Sequence, residues 1–529
     1  MATLLFLGAS VSQLPAIRYA RNSGHRVLAA DGDRDAVGFA IADTPINVDF
    51  TDVDGVVVAV RELGVDGVLA VSSDRAVLPA AEIAQALGLP SIGADVARAM
   101  TDKTVMRSRL EAAGVPQPRH AVLTRTSDAR AAARAIPLPA VLKPADSGGQ
   151  RGLFMIERPA DVERHLHETL SFSPSGQAML EEYVDGVELN GIMVVRRGEP
   201  RLLTLSDRLR PPGIGFGVGW IHQYPSSLDE AVLDRVRDVA YQAVGVLGLR
   251  DGIAFPQLIA AGDDVRLVEI AARIAAGQMA DLVRFGTGIE LFDIAFAQAL
   301  GQPVGDELVT ATIQRPITIR FLTARPGVLP LGTVSAISGL DDVRSSPGVL
   351  DAGLYFRPGA TITPVRVDAD RRGYIVATGP TPSDALALAD AAARKLVVRT
   401  QRHLHVLRNA RLLPAATVTV AAAAGAVALL AFHGGIRPRL ISDTIRAQGA
   451  LFQVRYVFNE PVRALLIVNG KPAASTSSLR RSGALRWRRR DARGSVQFAI
   501  EGTDRSGRHA IVMLSRARAV ASVRRPAAT

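Results

Sequence analysis

The chain has 529 residues, 48% of them hydrophobic and 21% charged, enough for three or four domains with sizeable cores, and this excludes disordered, collagen-like and simple coiled-coil proteins. It has no cysteine, which excludes disulfide frames, thiolate nucleophiles and cysteine-ligated zinc or iron–sulfur clusters. Its net charge of +11 is uneven: from Arg402 onward 22 Lys and Arg face 5 Asp and Glu, whereas residues 1–401 hold 40 against 46, so the basic character belongs to a tail.

The opening TLLFLGAS lacks the basic flank and long apolar run of a secretory signal and predicts a buried strand, Leu4 to Leu7, ending at Gly8. A helix through Tyr19 follows, then strands over Val27 to Ala30, about Gly55 to Val60, and Gly67 to Val71, the last ending in Ser72-Ser73-Asp74. Strands alternating with helices predict a doubly wound parallel sheet over residues 1–98. After the first strand the sequence reads Gly8-Ala9-Ser10-Val11-Ser12-Gln13, which is not the G-x-G-x-x-G fingerprint, so dinucleotide binding there is not expected.

From about Met100 to Thr400 strands, helices and glycine-rich loops are mixed. Only four of the 62 basic residues are lysines, Lys103, Lys143, Lys395 and Lys471, and a compact ammonium does different work from a guanidinium. Lys103 opens a helix that runs through Leu110 and stops at Gly114-Val115-Pro116-Gln117-Pro118. Lys143 ends the strand-like Pro139 to Leu142, and the loop Pro144-Ala145-Asp146-Ser147-Gly148-Gly149-Gln150-Arg151-Gly152 leads to a strand over Leu153 to Ile156. Bare backbone amides can fold over phosphates while a neighbouring lysine supplies a point charge. Taken singly, such a loop is more often a hairpin and a helix-start lysine more often solvated. Carboxylates follow in Leu180-Glu181-Glu182-Tyr183-Val184 and at Glu188; later come Gln257 and the run Val268-Glu269-Ile270-Ala271-Ala272-Arg273. Acid and amide side chains on adjacent strands can converge on a hard cation.

In this order and spacing the residues resemble the ATP-grasp superfamily, in its carboxylate–amine ligase, carbamoyl-phosphate synthetase-like and biotin carboxylase-like branch, over roughly residues 1–400. The resemblance implies an ATP-grasp domain at 99–305 with the nucleotide between two α+β lobes, and a ligase-type lid at 306–400 that includes Pro316 to Phe321 and Gly373 to Gly379. It places Lys103 and Lys143 on the phosphates of ATP under a loop of Ser147, Gly148, Gly149, Arg151 and Gly152. Glu181, Glu182 and the backbone of Val184 are implied at the adenine and Glu188 at the ribose. Gln257 and Glu269 are implied to hold Mg²⁺, and Arg273 with Lys143 to be catalytic. Many members carry a metal-binding Asn where this chain has Ala271, and Gln257 is an amide, so one ion is expected rather than two. Arg208, Arg210 and His222 are candidates for an anionic substrate, against a reading as ordinary loop charges and a hydrogen-bonded histidine. The implied activity is an ADP-forming carbon–nitrogen ligase that activates a small carboxylate as an acyl phosphate for attack by an amine. A catalytically weak ATP-binding membrane sensor, or an envelope-binding protein, is the alternative.

Leu412 to Phe432 is an uncharged, mostly apolar run of 21 residues; at ~1.5 Å per residue it reaches roughly 30 Å, the depth of a bilayer core. It predicts a single transmembrane helix over 412–432, with a buried or interfacial helix as the alternative. The basic flank Arg394, Lys395, Arg399, Arg402, Arg408 and Arg411 predicts residues 1–411 in the cytoplasm and 434–529 outside. Short strands around Phe452 to Phe458, Leu465 to Val468, Leu485 to Trp487, Val496 to Ile500 and Ala510 to Leu514 predict a small β-sandwich over 440–520. Through Asn459-Glu460-Pro461 and Asp504 to Gly507 this segment resembles immunoglobulin-like modules of exported bacterial proteins. The cluster Arg486-Trp487-Arg488-Arg489-Arg490 reads as a solvated face able to meet anionic lipid or envelope polymer; nucleic acid is not expected.

Overall fold

A computed structural model describes residues 1–148, 150–210 and 218–401, and six strands within 440–513. The chain divides into two compact units, Met1–Val406 and Leu407–Thr529. The predicted span at 412–432 lies outside the described residues, among which no helix is long and apolar enough to cross a membrane.

The first domain is a parallel sheet of β1 (Thr3–Leu7), β2 (Arg26–Ala30), β3 (Thr44–Ile46) and β4 (Gly67–Ala70) in the order β3-β2-β1-β4, with helices α1 (Leu14–Asn22), α2 (Val53–Val60), α3 (Val77–Ala86) and α4 (Ala94–Ala99). The strand expected near Gly55 to Val60 is α2. Its valines suggest a strand by residue type, but Asp52 caps it by accepting the Gly55 N–H at 3.0 Å, and burial follows a helical phase, with Val56, Val57 and Val60 inside and Val58 73% exposed. Beyond β1, Gly8 turns with φ 96°. Gln13 fills the space above it, accepting from Ser10 Oγ at 2.6 Å and donating to the Val71 carbonyl at 2.8 Å. A side chain thus occupies the place where a dinucleotide fingerprint would leave bare backbone.

After α5 (Lys103–Ala112), strands β5 (His120–Leu123), β6 (Ala140–Pro144), β7 (Phe154–Ile156) and β8 (Ala178–Glu182) form a four-stranded antiparallel lobe in the order β5-β8-β6-β7. The remaining strands of this unit are β9 (Val187–Arg196), β10 (Glu199–Leu209), β11 (Ile221–Tyr224), β12 (Gly252–Ala261), β13 (Asp264–Ala271), β14 (Ile317–Leu322), β15 (Gly332–Ser338), β16 (Val349–Leu354), β17 (Thr361–Ile362), β18 (Gly373–Thr378) and β19 (Val397–Gln401). Eight of them make one sheet, β13-β12-β9-β10-β11-β14-β18-β16. The expected lid therefore continues the main sheet through β14, β18 and β16, and adds the small sheet β17-β15-β19 and the helix Pro382–Ala393. The helix Glu230–Leu247 covers one face of the main sheet, burying Val236, Val239, Ala240, Ala243, Val244 and Leu247. A second core joins Leu4, Phe6, Ile17 and Val71 of the first domain to Ile192, Val194, Ile253 and Ile274. A parallel bridge, Val71 with Ile274, carries this join into the backbone, with the Ser72 N–H donating to the Ile274 carbonyl at 3.0 Å.

In the second unit six antiparallel strands, β20 (Leu440–Gln448), β21 (Leu451–Val468), β22 (Lys471–Ser475), β23 (Arg480–Arg488), β24 (Phe498–Thr503) and β25 (His509–Met513), are arranged about the 18-residue β21. Its first half pairs with β20 and β23, its second with β22 and β24. Asn459-Glu460-Pro461, expected after a strand, lies inside β21, where the pairing with β23 shifts between Val457 and Val462. Val468 pairs with Lys471.

Candidate active site

Asp102 caps α5 by accepting the Thr104 N–H at 2.8 Å, and this sets Lys103 at the first helical position. Lys103 is buried, its Nζ 3.0 Å from Glu269 Oε1 and 3.3 Å from the Ser147 carbonyl. On the lobe, Lys143 of β6 reaches Glu181 of β8 at 2.7 Å; Glu181 stands opposite Val141, diagonal to Lys143. Arg107, one helical turn after Lys103, is 1% exposed. Its Nε donates to Glu181 Oε1 at 2.9 Å, and its Nη1 and Nη2 donate to the Leu267 and Val268 carbonyls at 3.0 and 2.6 Å.

Burial pushes the Glu181 carboxyl up, but Arg107 and Lys143 outweigh it and hold the pKa down at about 2. Burial lowers the Lys143 ammonium, with Arg107 and Lys103 adding to the effect against Glu181. For Lys103 burial is outweighed by Glu269, then Asp74 and Glu181, and its pKa lies above the ordinary lysine value. Glu181, implied at the adenine, is thus the counter-ion of two buried cations, each of which would be costly to leave unpaired. Its neighbour Glu182 accepts from Arg119 Nε at 2.9 Å and also pairs with Arg266.

The two residues implied to hold a cation belong to a row across three strands. Glu269 on β13 pairs in register with Gln257 on β12, which pairs with Asn190 on β9. Gln257 Nε2 donates to Asn190 Oδ1 at 3.1 Å, and the Asn190 amide lies 3.0 Å from His222 Nδ1. With its nitrogen so used, Gln257 keeps its oxygen for a cation. One carboxylate and one amide oxygen suit a Mg²⁺ that completes its shell with phosphate oxygens and water. Among the described residues no group of three or more His, Asp or Glu could hold a metal by itself.

Arg273 is engaged by the first domain: its Nη2 and Nε lie 2.6 and 2.7 Å from Asp74 Oδ1. Asp74 follows the carboxyl end of β4, the end at which ligands gather in open parallel sheets. Burial raises its pKa, but Arg273 and then Lys103 bring it below the ordinary aspartate value. The glycine loop rests on the same carboxylate: a Cβ at Gly148 would stand 2.9 Å from Asp74 Oδ2. Gly152 turns the loop with φ 68°, and Gly149 lies outside the described residues.

Glu188 and His222, both expected in the site, have partners of their own. Glu188, implied at the ribose, lies 2.5 Å from Arg208 Nη1 and also pairs with Arg210, so the carboxylate and two of the proposed substrate cations neutralise one another across β9 and β10. His222 is buried, and this burial, with Arg208 and Arg371, puts its pKa well below the ordinary imidazole value; near neutrality it is an uncharged hydrogen-bonding group, not a cation for an anionic substrate. From the lid, Asp368 and Arg371 enter the site unannounced by any sequence signal.

These groups line one cavity of about 260 Å³, which the lobe closes with Arg151, Ser147, Tyr183 and Val184. Lysines, a carboxylate–amide row and arginines in one cavity can together hold a polyphosphate, its cation and a second anionic group.

Residues 102–306 match the family described as carbamoyl-phosphate synthase L chain, ATP binding domain, and residues 320–401 match L-amino acid ligase C-terminal domain 2. The uncharacterized protein y4rH of Sinorhizobium fredii is 28% identical over 312 residues, 58% of this chain and 62% of that protein. A D-alanine–D-alanine ligase of Desulforudis audaxviator is 28% identical over 263 residues, 47% of this chain and 77% of the ligase. Among solved structures, the L-amino acid ligase from Bacillus licheniformis superposes with a TM-score of 0.64 at 19% identity, covering 76% of this chain and 99% of that one.

Proposed function

We propose that this chain, whose first unit carries the ATP-grasp fold, is an ATP-dependent carbon–nitrogen ligase that joins a small carboxylate, of the amino-acid class, to an amine. The observation that carries the reading is the convergence of Lys103, Lys143, Gln257, Glu269 and Arg273 on a single cavity. The match of residues 320–401 to an L-amino acid ligase domain supports the amino-acid class.

In this reading a substrate carboxylate oxygen attacks the γ-phosphorus of ATP, ADP leaves, and the amine nitrogen then attacks the acyl carbon and expels phosphate. Catalysis is positioning and charge neutralisation. Lys103 and Lys143 trade contacts with Glu269 and Glu181 for contacts with phosphate oxygens. Glu269 and Gln257 would hold Mg²⁺, which would neutralise phosphate charge. Arg273, oriented by Asp74, faces the anionic acyl-phosphate region, and neutral His222, fixed by Asn190, offers a hydrogen bond beside it.

We also propose that residues 412–432 anchor the protein as a single span, with 1–411 cytoplasmic and the basic tail outside facing anionic lipid or envelope polymer; the length of the run and its arginine flank support this. Incubation of the purified protein with ATP·Mg²⁺ and pools of amino acids should release phosphate and yield masses of condensed products. Nucleotide binding without phosphate release across all pools would favour the sensor alternative.

A further inference from the structure

The buried cations of the cavity differ in how well they are neutralised. Lys103, Lys143, Arg208 and Arg273 each have a carboxylate oxygen within 3.0 Å. For Arg371 the nearest, Asp368 Oδ1, is 3.6 Å away. That oxygen already accepts the Gly219 N–H at 3.0 Å, and the other Asp368 oxygen lies 3.9 Å from Arg208. One carboxylate is therefore shared by two guanidinium groups, at long distance from both.

Arg371 is nonetheless held firmly. Its guanidinium stacks over the Phe321 ring at 4.2 Å, its Nε donates to the Asp368 carbonyl at 3.0 Å and its Nη1 to the Gly219 carbonyl at 3.3 Å. Its Nη2 makes no hydrogen bond among the described residues, and the side chain lines the cavity. Gly277, φ 75°, four residues after Arg273, stands beside both the ring and the guanidinium; a Cβ there would be 3.2 Å from Phe321 Cζ and 3.7 Å from both Nη atoms. Burial lowers the pKa of Arg371 despite Asp368 and Tyr355, as expected for a desolvated cation lacking a close anion.

Resting on the ligase reading, we infer that Arg371, supplied by the lid, anchors a carboxylate carried by the amine substrate, so that the accepted nucleophiles are amines bearing a free carboxylate. A planar fork with unused donors, fixed on an aromatic face, matches a carboxylate in geometry and supplies the charge that Asp368 only partly balances.

The test compares the full chain with Arg371→Met and Arg371→Lys, using free L-amino acids and their C-terminal amides as acceptors. For the acids, Arg371→Met should raise KM at least about 30-fold, the loss expected when one partner of a buried charged hydrogen bond is removed, and Arg371→Lys should recover part of it. KM for ATP should stay unchanged, and the loss with the amides should be far smaller than the loss with the acids. An unchanged KM for the acids, or an equal loss with acids and amides, would overturn the assignment. If the wild type released no phosphate with any acceptor, the ligase reading would fail on its own. Calorimetric titration of the same amino acids in the presence of a non-hydrolysable ATP analogue decides the anchor separately. Binding lost in Arg371→Met upholds it; equal binding by both proteins, or none by the wild type, overturns it.

Discussion

Glu181 carries two cations, Arg107 and Lys143, almost out of reach of water, and the three members of this group should respond differently to substitution. Lys143→Ala leaves Glu181 paired with Arg107, so the fold should persist while substrate-dependent ADP release disappears; wild-type-like turnover by this variant would sink the assignment. Glu181→Gln strands two buried cations and should cost about 3–5 kcal/mol of stability in urea unfolding. The sign of its pH dependence follows from a folded pKa of about 2 against an ordinary value of 4.5. The stabilisation is present above pH 4.5 and is lost as pH falls toward 2. The gap between wild type and Glu181→Gln should therefore be constant near neutrality and narrow below pH 4.5. At this scale the sequence is informative where chemistry is local: two of the four lysines, and Glu269 and Arg273 of one short run, fall in a single cavity. Arg107 and Asp74 escape such reading because their partners lie 74 and 199 positions away. Signals for both were present, in the i+4 spacing of Arg107 from Lys103 and in the position of Asp74 just past a strand end.

Elements show where residue type misleads and phase does not. The valine run of α2 has the composition of a strand, yet its cap and its burial pattern are those of a helix. The loop after β6 was legible as a glycine-rich cover, but its support was not, since that support is a carboxylate from another domain. Gly148→Ala would drive a methyl against Asp74 Oδ2, and overpacking of this kind costs about 1–3 kcal/mol. Nucleotide affinity, measured with a fluorescent analogue, should weaken roughly tenfold, while the melting temperature, set by cores elsewhere, should change little. Unaltered affinity would show that the loop does not need Asp74 beneath it.

For the whole molecule, the division at Val406 separates an α/β body with its own cores from an antiparallel β unit. A chain ending at residue 405 should keep nucleotide binding and phosphate release. On cell fractionation the full chain should travel with membranes and the shortened chain with the soluble fraction; finding both in the soluble fraction would remove the anchoring proposal and leave the ligase proposal intact. Charge asymmetry made this division legible from composition. Continuity of the lid with the main sheet was not legible, because strand pairing across β11, β14 and β18 is set by packing rather than by any local motif.

The bridge between Val71 and Ile274 has a mechanical consequence. It fastens the edge of the first domain's sheet to the chain directly after Arg273, so any displacement of the first domain against the main sheet would have to break a backbone hydrogen bond and a shared core. Arg107 ties the four-stranded lobe to the main sheet as well: it donates to Glu181 on the one and to the backbone of residues 267 and 268 on the other.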